Sequence, residues 1–293
     1  MSREPGRTTL PDRHSAVAIV TTYHPQPGLI DRLTPILAQV ARVLIVDNGS
    51  APSEQAEVHR LVEGGGVDAH WNHTNLGLAA ALDQGLEWAS SVGVSWALLL
   101  DQDSSPEPGI VAEAARVLEL AGPGPVAAIG AGMSGRDTGG PPGDADWQEE
   151  PVVITSGTFV SVDAWRALGG FRRDFFVDYV DLEFCLRGRA AGFRILRSLR
   201  PTIRHTVGRQ QRCRLLWRRL TITHHDLPRR YSIARNRTVV WRTYWRRETR
   251  FVMGDGWAFV KELVKVGMFE GDRWAKLGAI FAGLRDGARV PPP

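Results

Sequence analysis

Four short apolar runs, each ending in a polar cluster and each leading into a stretch with helical spacing, constrain this chain more than any other feature. Ala16–Thr21 runs into Thr22-Tyr23, Val43–Val46 into Asp47-Asn48-Gly49-Ser50, the residues around His70 into Asn75-Leu76-Gly77, and Trp96–Leu100 into Asp101-Gln102-Asp103. Short aliphatic and β-branched runs bounded by turn residues read as buried strands. Between them Leu29–Val40, Ser53–Val62, Gly77–Ser90 and Pro106–Leu120 repeat apolar residues every three or four positions, and Leu78, Leu82 and Leu86 share one such face. Strand and helix in alternation predict an α/β fold, a mostly parallel sheet flanked by helices. Such sheets bind ligands beyond the carboxyl ends of their strands, so four polar clusters at four equivalent ends predict one crevice.

The pattern extends through a strand at Val126–Ile129 and breaks at the Gly/Pro-rich Gly135–Asp144, read as a mobile loop. It resumes with a strand over Val152–Val162, a helix over Asp181–Ala191 and a strand over Phe193–Leu196. This divides the chain into a disordered tail (1–14), a catalytic-looking domain (15–208) and an Arg/Trp-rich, mainly helical region (209–293). Hydrophobic residues at 43% and charged residues at 23% exclude a largely disordered chain. Cys185 and Cys213 form no paired spacing, Met1–His14 lacks the apolar stretch of a signal peptide, and no run of about 18 apolar residues occurs. The expected location is the cytoplasm. The net charge of +4 is uneven: Arg194–Arg250 holds 17 Arg, no Lys and only two acids, Asp226 and Glu248. An acidic body and a basic segment that seeks an anionic partner are expected.

Asp101 and Asp103 emerge together from an apolar strand, and their repulsion calls for a counter-charge such as Mg²⁺ or Mn²⁺ bridging them to a diphosphate. The same acids equally suit a turn before a helix entered at Ser105-Pro106. Asp47 suits a turn and helix cap, or acceptance of the imide N–H of a uracil or thymine, with Tyr23 against that ring. Asn75 suits an N-cap, and the helix it opens suits a phosphate. Asp178, Asp181 and Glu183 begin a helix, where acids are ordinary, yet a general base can lie among them. His205 satisfies a loop or ligates a metal.

Taken in order, VTTYHP, VLIVDNGS, NLGLAAALDQG, LLLDQDS, ITSGTFVS, FFVDYVDLEFCLRGRAAGF and HTVG resemble the family 2 glycosyltransferases of the GT-A fold, and within them the bacterial rhamnosyltransferase-like group. The resemblance spans about Val17 to Gly208. It implies a metal-dependent, inverting hexosyltransferase using Mn²⁺ or Mg²⁺, with Asp101, Asp103 and His205 as metal ligands. Donor contacts fall on Thr22, Tyr23, Asp47, Asn75, Gly77, Asp101 and Gln102, the catalytic base on Asp181, and acceptor contacts on Ser156, Gly157, Asp178 and Glu183, the last also a second candidate base. Asp83, where the family often has Asn, and Arg209, where an acid often stands, depart from the pattern. The implied donor is dTDP-rhamnose or a UDP sugar, and the implied acceptor a glycan or a polyprenyl-diphosphate-linked glycan.

The basic segment interleaves Arg235, Arg237, Arg242 and Arg246 with Trp241, Tyr244 and Trp245, a mixture suited to peripheral contact with an anionic membrane on its inner face, or to a homodimer contact. Two other classes remain. A sugar-phosphate nucleotidyltransferase usually carries a Gly-rich loop where Thr-Thr-Tyr-His-Pro stands here, and a nucleic-acid-binding protein would use the arginines.

Overall fold

The computed structural model describes residues 9–133, 146–205, 210–215, 218–223 and 225–291, with the main chain alone over 205–223. They form two compact units, one within Met1–Asp174 and Val180–Thr206, the other within Phe175–Tyr179 and Val207–Pro293. The proposed loop Gly135–Asp144 and residues 1–8 of the expected tail lie outside the described residues. Residues 9–14 of that tail are tied down: the Asp12 carboxylate accepts from the His14 and Ser15 amides at 2.8 and 2.7 Å, and Trp96 Nε1 donates to the Thr9 carbonyl at 2.6 Å.

The first unit runs β1 (Ala16–Thr22), α1 (Leu29–Leu37), β2 (Val43–Asp47), α2 (Ala56–Glu63), β3 (Val67–Trp71), α3 (Leu78–Ser91) and β4 (Trp96–Asp101). It continues through β5 (Ser104–Pro106), α4 (Ile110–Ala121), β6 (Val126–Met133), β7 (Trp147–Glu149), β8 (Thr158–Ser161), α5 (Val162–Leu168), α6 (Val180–Ala190) and β9 (Arg194–His205). The sheet order is β3-β2-β1-β4-β8-β6-β9-β5, with β7 beside β9. Strands β3, β2, β1 and β4 are parallel, and burial on both faces explains the continuous apolar runs of β1, β2 and β4, while the edge strand β3 is only partly buried and carries Asp68 and His70. Beyond β4 the sheet is mixed, since β8 runs antiparallel to both β4 and β6, and β5 antiparallel to β9. Ser105-Pro106 begins no helix: it lies in β5, which pairs with β9, and α4 starts after Gly109.

Register places the clusters side by side. Thr22 pairs with Asp47, Asp47 with Trp71, and Thr21 with Asp101. Helix α3 lies close against β1 because Gly85 leaves Ile19 the space that a Cβ would take. The strand expected over Val152–Val162 is confined to Thr158–Ser161, because residues 155–157 turn, with Gly157 at φ +81°.

The second unit holds a hairpin of β10 (Gln210–Leu215) and β11 (Arg218–Thr223), then α7 (Leu227–Tyr244), α8 (Thr249–Phe269) and α9 (Arg273–Gly287). Gln210–Leu215 and Arg218–Thr223, within the region expected to be mainly helical, thus form paired strands. Asp226 caps α7, accepting from the Arg229 amide at 3.0 Å. The helices enclose Ala234, Phe259, Val266 and Ile280. Buried beside them, the Arg230 guanidinium, 2% exposed, reaches Glu262 and Glu270 at 2.5 Å each. Arg237 reaches Glu262 at 2.8 Å, Asp255 at 3.2 Å and the Tyr179 hydroxyl at 2.6 Å. Of the four arginines expected to meet headgroups, Arg237 is therefore inside the unit, and Arg242 donates to the Val290 carbonyl at 2.9 Å. A charge run in sequence does not separate a solvated arginine from one paired in a core, because that depends on which side of α7 faces α8.

Candidate active site

At the end of β2 the Asp47 carboxylate is fully buried. Oδ1 accepts from the Ser50 amide at 2.9 Å and Gln55 Nε2 at 3.1 Å, and Oδ2 from the Thr22 and Ser50 hydroxyls at 2.9 and 2.7 Å. A carboxylate offers about four acceptor positions, so all are engaged. Asp47 thus fixes the ends of β1 and β2, and the expected contact with a base N–H requires one of these bonds to give way. Tyr23, which follows β1, is 44% exposed, its ring tilted 53° against that of His24 with the centres 4.0 Å apart. The Tyr23 amide donates to Gln102 Oε1 at 2.8 Å, while Arg32 Nε holds the Gln102 carbonyl at 2.9 Å. Gln102 thereby braces the β1 end against the β4 end.

The third cluster is organised by Asn48, a residue that sequence reading passed over. Its Nδ2 donates to Asn75 Oδ1 at 2.9 Å and to the Gly77 carbonyl at 3.1 Å, and its Oδ1 accepts from the Leu76 amide at 3.0 Å. Gly49, at φ +89°, admits this contact because a Cβ there would come within 2.6 Å of the Thr74 carbonyl carbon. Asn75 is not the N-cap of α3. That position belongs to Gly77, at φ 88° and ψ 163°, without a side-chain cap, while Asn75 Oδ1 accepts the Gly77 amide at 2.9 Å. The first amides of α3 thus remain available to an anion.

Asp101 closes β4 and is half-buried. Burial, then the charges of Asp103 and Asp181, push its carboxyl up to about 7. Asp181, far along the chain from the Asp101-Gln102-Asp103 cluster, therefore shares one electrostatic environment with it. Asp181 is also raised by desolvation, against the pull of its hydrogen bonds. Its Oδ2 accepts from the Thr155 amide at 2.8 Å and the Thr155 hydroxyl at 3.2 Å, and its Oδ1 from the Leu182 amide at 2.9 Å. Thr155 is a second residue missed by sequence reading, although it stands in the ITSGTFVS motif. No group of three His, Cys, Asp or Glu forms a ready-made metal cage among the described residues. The donor set nevertheless fits a hard divalent ion shared with phosphate oxygens, because two carboxylates in a site with excess negative charge are what such an ion neutralises while keeping its other ligands external. The main chain of His205 pairs with Ser104, next to Asp103; its side chain is outside the described residues.

The remaining expectations are placed differently. Ser156 is buried, its hydroxyl 2.5 Å from that of Ser104, and the Gly157 amide donates to the Leu99 carbonyl at 2.9 Å. Both shape the loop that leads into β8, where an acceptor surface was expected. Glu183 is 1% exposed and held by Arg187 one turn along α6 at 3.0 Å, a packing role that disfavours it as a base. Asp178 belongs to the helical unit, where Arg229 clasps it with two bonds of 3.0 Å. Asp83, the departure from the family's Asn, accepts from Trp165 Nε1 at 2.9 Å, the Phe171 amide at 2.8 Å and Arg173 Nε at 2.7 Å. Its charge is matched by Arg173, away from the strand ends.

Comparison with known proteins bears on this arrangement. The sequence profile of Glycosyl transferase family 2 matches residues 17–195. A dTDP-rhamnosyl transferase, RfbF of Shigella flexneri, is 25% identical over 243 residues, covering 75% of this chain and 77% of its own. Among solved structures, the mannosyltransferase PcManGT of Pyrobaculum calidifontis, in complex with GDP-Man and Mn²⁺, superposes with a TM-score of 0.59 at 18% identity, over 98% of this chain and 78% of that one. TarS 1–349 of S. aureus gives 0.54 at 13% identity, over 93% and 71%. At these identities the structural likenesses speak for the GT-A fold.

Proposed function

The chain belongs to glycosyl transferase family 2, and from that premise we propose a metal-dependent, inverting transfer of a sugar from a nucleoside-diphosphate donor to a hydroxyl of a glycan or lipid-linked glycan. The observation that carries this reading is the convergence of Asp101 and Asp103, at the end of β4, with Asp181 in the first turn of α6, in a unit whose other strand ends hold Tyr23 and the open start of α3. L-rhamnose from dTDP-rhamnose is the first choice of donor, supported by the relative named a dTDP-rhamnosyl transferase. Asp101 and Asp103, with His205, would hold Mn²⁺ or Mg²⁺, which neutralises the charge that grows on the departing diphosphate.

The chain's own groups do the rest. The Tyr23 ring packs against the base, in a turn held by Thr22 and Asp47, and the α3 amides beyond Asn75 and Gly77 receive phosphate oxygens. Asp181 takes the proton of the acceptor hydroxyl as that oxygen attacks the anomeric carbon, and the bond to the nucleoside diphosphate breaks with its electron pair leaving on the diphosphate. The accepting atom is Oδ1, which carries one hydrogen bond where Oδ2 carries two. The upward shift of the Asp181 carboxyl makes it a stronger base while Thr155 and Leu182 keep its charged form within reach. To test the reading, the full chain is offered dTDP-rhamnose, UDP sugars and GDP sugars with Mn²⁺, Mg²⁺ or EDTA, and thermal shift and nucleoside-diphosphate release are followed. Metal-dependent stabilisation and release with one nucleotide class is expected; a flat response to every donor overturns it.

A further inference from the structure

Helix α8 presents an uncovered apolar face. Met253, Trp257, Val260, Val264 and Met268 follow at steps of four, three, four and four residues, so they fall on one side of the helix, and each is between 47% and 70% exposed. The opposite side is closed. Phe259 and Val266 lie in the unit's apolar core, and both acids of the helix, Asp255 and Glu262, turn inward to Arg237 and Arg230. What lines the exposed side beside the stripe is cationic: Arg250 and Lys261 are exposed and lie within about 80° of Met253 around the helix axis. The Lys261 ammonium sits 5.3 Å from the centre of the Trp257 ring. On α9, Trp274 and Phe281, seven residues apart, are 76% and 59% exposed, with the Arg273 guanidinium 5.9 Å from the Trp274 ring.

A continuous exposed apolar patch marks an interaction surface, and the combination of Trp, aliphatic residues and flanking cations is that of a helix lying in the boundary between water and lipid acyl chains. No described helix is long and apolar enough to cross a membrane. We propose that the exposed face of α8 docks this protein on a bilayer surface rich in anionic headgroups, the stripe entering the acyl boundary while Arg250 and Lys261 meet lipid phosphates. Charge favours this occupant over a second copy of the chain. Two such faces in contact would bring Arg250 and Lys261 of both copies together at a rim to which α8 contributes no acid. The surface differs from the arginines of α7, whose Arg237 is buried. It uses no residue of the transferase site, so it stands or falls independently of the donor reading.

The test is co-sedimentation of the full chain with vesicles of phosphatidylcholine alone and of phosphatidylcholine with phosphatidylglycerol, with thermal unfolding as a control for folding. The chain is expected to pellet with the anionic vesicles and to be released by salt. Trp257→Gln with Val264→Gln should weaken that binding about tenfold or more, since two large apolar contacts are lost. Arg250→Gln and Lys261→Gln should weaken it about fivefold each and reduce the preference for anionic lipid. The proposal is overturned if the chain stays in the supernatant with anionic vesicles, or if the folded stripe variant binds as well as the unaltered chain. It is equally overturned if that variant converts a dimer to a monomer by light scattering while vesicle binding stays the same, which would make the face a self-contact.

Discussion

Buried acids are treated in opposite ways in the two units. In the helical unit Glu262 and Glu270 each receive the Arg230 guanidinium, Asp255 and Glu262 receive Arg237, and Lys276 lies 2.9 Å from Glu270. In the sheet unit burial, Asp103 and Asp181 all drive the Asp101 carboxyl upward, to about 7. Acids of the sheet unit that lie away from the strand ends follow the helical pattern, as Asp83 with Arg173 and Glu183 with Arg187 show. A buried acid clasped by arginine belongs to the packing, whereas acids gathered against one another weaken the fold and persist where a ligand supplies the missing charge.

The sharpest way to break this contrast is Asp103→Asn. Turnover dependent on the metal should fall to background in an assay of nucleoside-diphosphate release, while the melting temperature holds or rises because one repelling charge is gone. Retained activity would show that the acid cluster is not the metal site.

Asp181→Asn should lower turnover by roughly 10²–10⁴-fold, the size of a general-base contribution, with donor affinity by calorimetry almost unchanged. Its counterpart, Glu183→Gln, should leave turnover per folded molecule near normal and lower the urea midpoint instead, because it breaks the buried pair with Arg187. An exchange of these two phenotypes would move the base to Glu183.

In the helical unit, Arg230→Met should cost about 3 kcal/mol by urea unfolding, near the low end for breaking a buried pair. The loss stays at that end because Arg237 remains 2.8 Å from Glu262 and Lys276 remains 2.9 Å from Glu270. A loss close to zero would show that the arginine network is as dispensable as a surface ion pair, and the comparison between the units would lose its second half.

The fold class and the strand-end clusters were determined by sequence alone. Local periodicity reports which residues alternate between strand and helix, and turn residues report where strands stop, so Thr22, Asp47, Asn75 and Asp101 were found at the ends of β1, β2, β3 and β4 or in the loops that follow. The packing decided what each of them does. Thr155 meets Asp181 across 26 residues of chain and Arg230 meets Glu270 across 40, contacts that no local pattern encodes. The same limit applied to Asp47, whose four bonds are supplied by a folded turn and a neighbouring strand, and to Ser156, whose hydroxyl meets that of Ser104 across 52 residues of chain. On α8, which the sequence placed only within a mainly helical region, the inward turn of Asp255 and Glu262 established which face remains outside. The reason is physical: backbone periodicity fixes which residues share a face, and long-range packing alone selects which face is buried.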